Sequence, residues 1–170
     1  MTRHKHTPDA AATNDGATDV MRILKPGGKL GLTTWHKDST AWAPDMKSSF
    51  AALPFDAPFP DPVPMAPNGL AQWTEEAGIR KALADGGFAN VRVETVRFAM
   101  RVESAEEFVR MFDTMRQWIL KMCCSEENQK KAEAVDLDGL MVKHLREKHD
   151  GKGWEINWTF IVATCEKPAA

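Results

Sequence analysis

Six side chains have the type and setting for chemistry or recognition: Trp35, His36, Trp42, Met111, Phe112 and Met115. His36 follows a strand-like run, Lys29 to Trp35 (KLGLTTW). With an unperturbed pKa of about 6.5, an imidazole there suits a general base for a nearby substrate hydroxyl; the plainer alternative is an exposed loop histidine. Trp35 beside it, and Trp42, Met111, Phe112 and Met115 further on, supply aromatic and thioether surface of the kind that lines a small-molecule pocket. No Ser/His/Asp set, Cys/His pair or pair of carboxylates inside an apolar stripe argues for hydrolysis. His4 and His6 could touch a metal, but two histidines in an aperiodic tail do not make a ligand set, and no metal site is expected. Cys123, Cys124 and Cys165 are odd in number and lack framework or ligand spacing. They read as small apolar residues or inert thiols, which fits a reducing compartment and a cytoplasmic location.

The elements that position these residues follow from periodicity. Residues 1–16 have none and read as a flexible arm. A helix is expected from about Ala17, with Met21, Ile23 and Leu24 as its apolar end and Lys25 as the cation at its C-terminus. Pro26 stops it, and Gly27-Gly28 supplies the positive φ of the reversal. Lys29 to Trp35 is then a strand with Leu30 and Leu32 on one face. Thr40 to Leu53 predicts a helix with Trp42, Met46, Phe50 and Leu53 inward. Residues 54–67 are proline-rich, a flap or a linker that can be neither helix nor central strand. Thr74 suits the N-cap of a helix closed by Gly86-Gly87.

Phe88 to Val102 is strand-like, but its alternation shifts phase near Thr95-Val96. Val91, Val93 and Thr95 share one parity; Val96, Phe98, Met100 and Val102 share the other. Ser104 opens a helix through a capping box, and Phe108, Met111, Met115, Trp118 and Met122 form its predicted apolar stripe, which Phe112 and Ile119 widen. Ser125 to His149 is polar and helical, with a break expected around Asp136 to Gly139. The cations near its end, Lys143, Arg146, Lys148 and His149, suit the helix dipole and are assigned nothing more. Trp154 to Cys165 is a strand whose second half is apolar on both faces, hence central.

Composition agrees with one globular domain that can bury roughly 70% of its unfolded surface. The chain has 170 residues, 43% hydrophobic and 27% charged, with a net charge of −2. No basic stripe points to nucleic acid or an anionic membrane, and no apolar run is long enough to span a bilayer. Tyr is absent while Trp (6) and Met (9) are plentiful, a balance that suits an apolar pocket or interface.

The phrase LKPGG followed by an apolar strand resembles the passage into the fifth strand of the class I S-adenosylmethionine-dependent methyltransferases. IRKALADGGFANVRVETV is similar to their approach to the sixth strand, and Trp154 to Cys165 to the seventh, which lies antiparallel between the fifth and sixth. The resemblance covers about residues 17–168 and implies an α/β fold: part of a Rossmann-like methyltransferase, a small sheet of those three strands covered by helices. It also implies S-adenosylmethionine as cofactor, a small-molecule substrate of fungal secondary metabolism, and a substrate cap in the helical insertion 104–149. The family's cofactor site, however, lies in a Gly-rich turn after the first strand, and this sequence has none. Asn14-Asp15-Gly16 follows no strand, and Gly27-Gly28 follows a helix. The expectation is therefore a truncated methyltransferase-like chain, inactive alone; the alternative is a non-catalytic remnant that binds a small molecule or a protein. Strand 29–35 also lacks its neighbour on one edge, so self-association or docking to a partner subunit through that edge is expected.

Overall fold

The computed structural model describes residues 15–65 and 70–169. Most of the expected N-terminal arm, including His4 and His6, lies outside those residues, as do Ala66 and Pro67 of the proline-rich loop. The fold is mixed α/β. In chain order the elements are α1 (Asp15–Ile23), β1 (Lys29–Trp35), α2 (Ala43–Ala51), a 3-10 turn (Ala71–Thr74), α3 (Glu76–Asp85), β2 (Ala89–Val102), α4 (Ala105–Met111), α5 (Asp113–Cys123), α6 (Glu126–Glu133), α7 (Leu137–Lys148) and β3 (Trp154–Glu166). One sheet of three strands has the order β1-β3-β2. The last strand is central, as expected, and pairs antiparallel with β1 from Lys29↔Glu166 to Trp35↔Phe160.

The chain forms two compact units. The first draws on residues 15–37, 65, 70–96 and 159–169, and its core is Ala17, Ile79, Leu83, Phe88, Val93, Ile161, Ala163 and Cys165. Val20, Met21 and Leu24 of α1 and Leu30 and Leu32 of β1 pack against that core. Ala17, Val20, Met21 and Leu24 follow the three-and-four spacing of one helix face. Ile23 lies off that face and is exposed, contrary to its expected place at the apolar end.

The LKPGG turn divides its work between its glycines. Gly27 takes a positive φ of 72°, which glycine reaches without strain. Gly28 does not; there a Cβ would meet the Lys25 carbonyl oxygen at 2.8 Å. Besides Lys25 at the end of α1, a second cation reaches its last carbonyls: Lys167 Nζ donates to Met21 O and Leu24 O, each at 2.8 Å. Tertiary reach put it there from the far end of the chain.

Thr74 is not the N-cap of α3. It closes the 3-10 turn, its hydroxyl donating to Ala71 O at 2.7 Å, and Glu75 takes the cap position. At the other end, the N–H of Phe88 donates to Leu83 O and that of Gly87 to Ala84 O, a Schellman motif with Phe88 buried in the core.

The second unit, Asp38–Pro64 with Arg97–Trp158, holds α2 and α4 to α7. Trp42, Met46, Phe50 and Leu53 are all buried, as their spacing predicts. Two expected helices are each divided. The one opened by Ser104, whose Oγ accepts from Glu107 N, breaks at Phe112 into α4 and α5. The polar one breaks before Asp136, whose carboxylate caps α7 by accepting from Gly139 N at 3.0 Å.

Both long strands change their buried face partway. In β2, Val91, Val93 and Thr95 are covered, then Val96 to Ala99 are all exposed, and then Met100 and Val102 are covered. The phase shift is therefore real, although Val96 and Phe98 are exposed and not part of the second covered set. In β3 the buried set changes from Ile156 and Trp158 to Ile161, Ala163 and Cys165.

Candidate functional site

The residues nominated for a site fall into both units. In the first, Trp35 ends β1 with its ring 4.4 Å from that of Phe160, and it is 43% exposed. His36 is half-buried and its N–H donates to Thr159 O, continuing the β1–β3 ladder. In the second unit, Trp42 and Phe112 are stacked, centroids 5.4 Å apart and rings 20° from parallel. Phe112 also stacks on Trp158 at 6.0 Å and tilts against Phe108 at 4.6 Å. Phe59 from the proline-rich loop meets Trp42 and Phe50 edge-on, and the loop is held a second time by Lys47 to Asp61 at 2.6 Å. The loop is therefore packed on α2 through an aromatic ring, which supplies contact energy beyond its area alone.

Met111 and Met115 flank Phe112 in sequence but not in environment. Phe108, Val109, Phe112, Arg116, Ile119 and Leu120 form the buried side of α4 and α5. Met111 (40% exposed), Met115 (37%), Trp118 (38%) and Met122 (65%) form a parallel stripe at spacings of four, three and four that faces solvent. Of the predicted stripe Phe108 and its two widening residues, Phe112 and Ile119, are buried, and the rest is exposed. The reason is Arg116, a cation on the buried side whose guanidinium donates to Asp113 on its own helix and to Asp138 on α7. Those ion pairs let a charged residue occupy a core position.

The cations of α7 also do more than complement its dipole. Asp45, buried on α2, accepts from Lys148 Nζ at 2.9 Å and pairs with His149 Nε2 at 3.0 Å. Ser48 lies 3.1 Å from His144 Nε2 and 2.9 Å from Lys148 Nζ. Its hydroxyl can donate to Asp45 O, 3.0 Å away in its own helix, so the group ties α7 to α2 through hydrogen bonds that leave no poised nucleophile. His149 is stacked flat on Trp154 at 3.9 Å. Sequence spacing carries no sign of this cluster, because α2 and α7 are about a hundred residues apart.

The described residues do not fit a cofactor cradle at the glycine pair. The N–H of Gly27 donates to Lys167 O and that of Gly28 to Lys25 O, so both amides serve the turn and neither points at a ligand. Among the described residues no group of three or more His, Cys, Asp or Glu side chains could hold a metal, and no helix is long and apolar enough to cross a membrane.

Comparison with known proteins gives a consistent result. No protein-family model matches the chain. It is 26% identical over 151 residues to methyltransferase ktnA of Aspergillus niger, covering 88% of this chain and 48% of that protein. It is 24% identical over 151 residues to methyltransferase tpcH of Aspergillus fumigatus, covering 88% of this chain and 52% of that protein. It is 27% identical over 153 residues to acetylaranotin bis-thiomethyltransferase of Aspergillus terreus, covering 89% of this chain and 54% of that protein. The chain thus spans about half the length of the relatives it matches. A solved structure from Bacillus halodurans C-125, provisionally described as a methyltransferase, covers 90% of this chain and 62% of its own at 16% identity. Its TM-score of 0.35 carries no argument. Across nearly nine-tenths of its length, then, the chain is methyltransferase-like, similar to fungal proteins of that name.

Proposed function

We propose that residues 1–170 form the small-molecule-binding part of an S-adenosylmethionine-dependent methyltransferase of fungal secondary metabolism, and do not methylate alone. One observation carries this reading: three fungal methyltransferases align with almost the whole chain, while the chain accounts for only about half of each. The glycine turn, its amides engaged within the chain, supports the second part of the reading. In a class I site the cofactor needs backbone N–H groups that face it, and here they face carbonyls.

The methyl acceptor is a small organic molecule taken up from the cytoplasm. Its contact surface is assigned to the exposed Met111 and Met115, with Trp118 next along the same stripe. Thioether side chains adapt to irregular ligands, and an indole offers a flat face. Trp42 and Phe112, stacked and buried, hold from behind the junction at which α4 passes into α5. Trp35 gives a second aromatic surface in the other unit, and His36 beside it is the candidate proton acceptor.

Titrating the protein with a panel of planar aromatic thiols and phenols, while following tryptophan emission, tests the contact surface. Saturable quenching by a panel member, lost in Met115→Glu, is expected. No saturable quenching by any member, or quenching unchanged in Met115→Glu, overturns the assignment.

A further inference from the structure

We propose that Met111, Met115 and Met122 form an oxidation site, at which hydrogen peroxide converts the thioethers to sulfoxides and switches off the apolar surface of α4 and α5 without unfolding the chain. Where the oxidation falls follows from burial alone; that the altered surface receives the methyl acceptor rests on the reading above.

The chain holds nine methionines. Among the described residues only these three are exposed, and all three lie in the solvent-facing row of α4 and α5 with Trp118. The N–H of Phe112 donates to Phe108 O and that of Arg116 to Phe112 O. The helical ladder therefore crosses the junction of the two helices, and the row stays on one side. At roughly 1.5 Å of rise per residue, it runs about 16 Å from Met111 to Met122. Arg110, Thr114, Gln117 and Lys121, each one residue earlier and all exposed, form a polar border along one flank. Sulfoxides would carry that polarity across the whole row, leaving Trp118 as its one apolar member.

The methionines that hold the fold are kept apart from it. Met46 on α2 and Met141 on α7 are 0% exposed, while Met21, Met65 and Met100 are half-buried. The buried side of α4 and α5 carries no methionine, only Phe108, Val109, Phe112, Arg116, Ile119 and Leu120. Oxidation of the row adds oxygen where water already reaches, so core packing is untouched. The same change at Met46 or Met141 would bury a polar group in an apolar site, which is costly.

In each conversion a sulfur lone pair attacks one peroxide oxygen; an S–O bond forms and the O–O bond breaks. The proton of the attacked oxygen passes to the other, which departs as water. Sulfur loses two electrons and the peroxide gains them. The product is polar and chiral, and reductases return it to the thioether, so the surface can be restored.

Peroxide treatment of the full chain, with Cys123 first alkylated, tests this by peptide mass spectrometry, circular dichroism and retention on a hydrophobic-interaction column. Oxidation of Met111, Met115 and Met122 well ahead of Met46 and Met141 is expected, with weaker retention and an unchanged spectrum. A triple variant, Met111→Leu, Met115→Leu and Met122→Leu, keeps an apolar row without thioethers, and its retention should not respond to peroxide. Equal oxidation of Met46 or Met141, unchanged retention of the oxidised chain, unfolding, or the same loss of retention in the triple variant overturns the proposal. If the triple variant fails to fold, mapping and retention of the unsubstituted chain decide. Quenching of tryptophan emission by a phenol separates the two readings. No quenching before oxidation removes the acceptor assignment and leaves mapping and retention to judge the site, whereas quenching that survives oxidation overturns the switch.

Discussion

Burial separates the three thiols. Cys165 lies in the core of the first unit, and desolvation pushes its thiol above the ordinary range. Cys124, also buried, is raised first by desolvation and further by the charges of Cys123 and Asp56. Thiolate, not thiol, is the nucleophile, so neither should react in the native state near neutrality, whereas half-buried Cys123 is accessible. Brief iodoacetamide treatment should modify Cys123 alone, and urea should bring Cys124 and Cys165 into reaction; mass spectrometry of the labelled peptides reads this. Early labelling of Cys165 would contradict its placement.

Glu166 shows how one residue couples strand ends to pH. Its carboxylate is held below the ordinary range first by the Asn90 side-chain amide at 2.8 Å and then by Lys29, with a smaller pull from Arg92. A depressed folded pKa contributes stability above the unfolded value of about 4.3, and that contribution is lost as pH falls through the lower folded value. Asn90→Ala removes the largest cause. Because Asn90 has a φ of 53°, the alanine also adds a backbone cost that does not depend on pH; stability should fall more at pH 7 than at pH 2, so the gap between urea midpoints should narrow on acidification without closing.

Helix faces decide which apolar residues hold the fold and which remain available. On α4 and α5 the buried side carries Phe112, which touches Trp42, Phe108 and Trp158; the exposed side carries Met115. Phe112→Ala should cost about 3–5 kcal/mol by leaving a cavity in the stack. Met115→Ala should stay within about 0.5 kcal/mol, as surface changes do. Equal losses in urea unfolding would mean that the two faces had been misassigned.

Much of the element pattern was legible because its signals are local. LKPGG marked the turn and strand boundaries, and the phase shift in β2 could be read from parity alone. The face of α4–α5 was legible only in part: Phe108, Phe112 and Ile119 of the expected stripe are buried, while Met111, Met115, Trp118 and Met122 are exposed. Two stripes there have helical spacing, and the buried one contains Arg116, a residue that reads as solvated until Asp138 of α7 is placed beside it. Nor could the change of buried face in β3 be read, since Ile, Trp, Phe, Val and Ala run through both parities there. The Asp45 cluster depends on α7 meeting α2, information that no local window contains.

At the scale of the whole molecule, the chain forms two compact units, and a methyltransferase-like sequence runs through both. The glycine pair that the family phrase brings with it is closed on the chain's own carbonyls. A site for an adenosyl cofactor would need free amides, and the glycine pair does not present them. The most direct measurement is a calorimetric titration of residues 1–170 with S-adenosylmethionine, with circular dichroism confirming that the protein is folded. The account predicts no micromolar binding. Saturable micromolar binding by the folded chain would contradict it and would locate a cofactor site that the glycine turn does not provide.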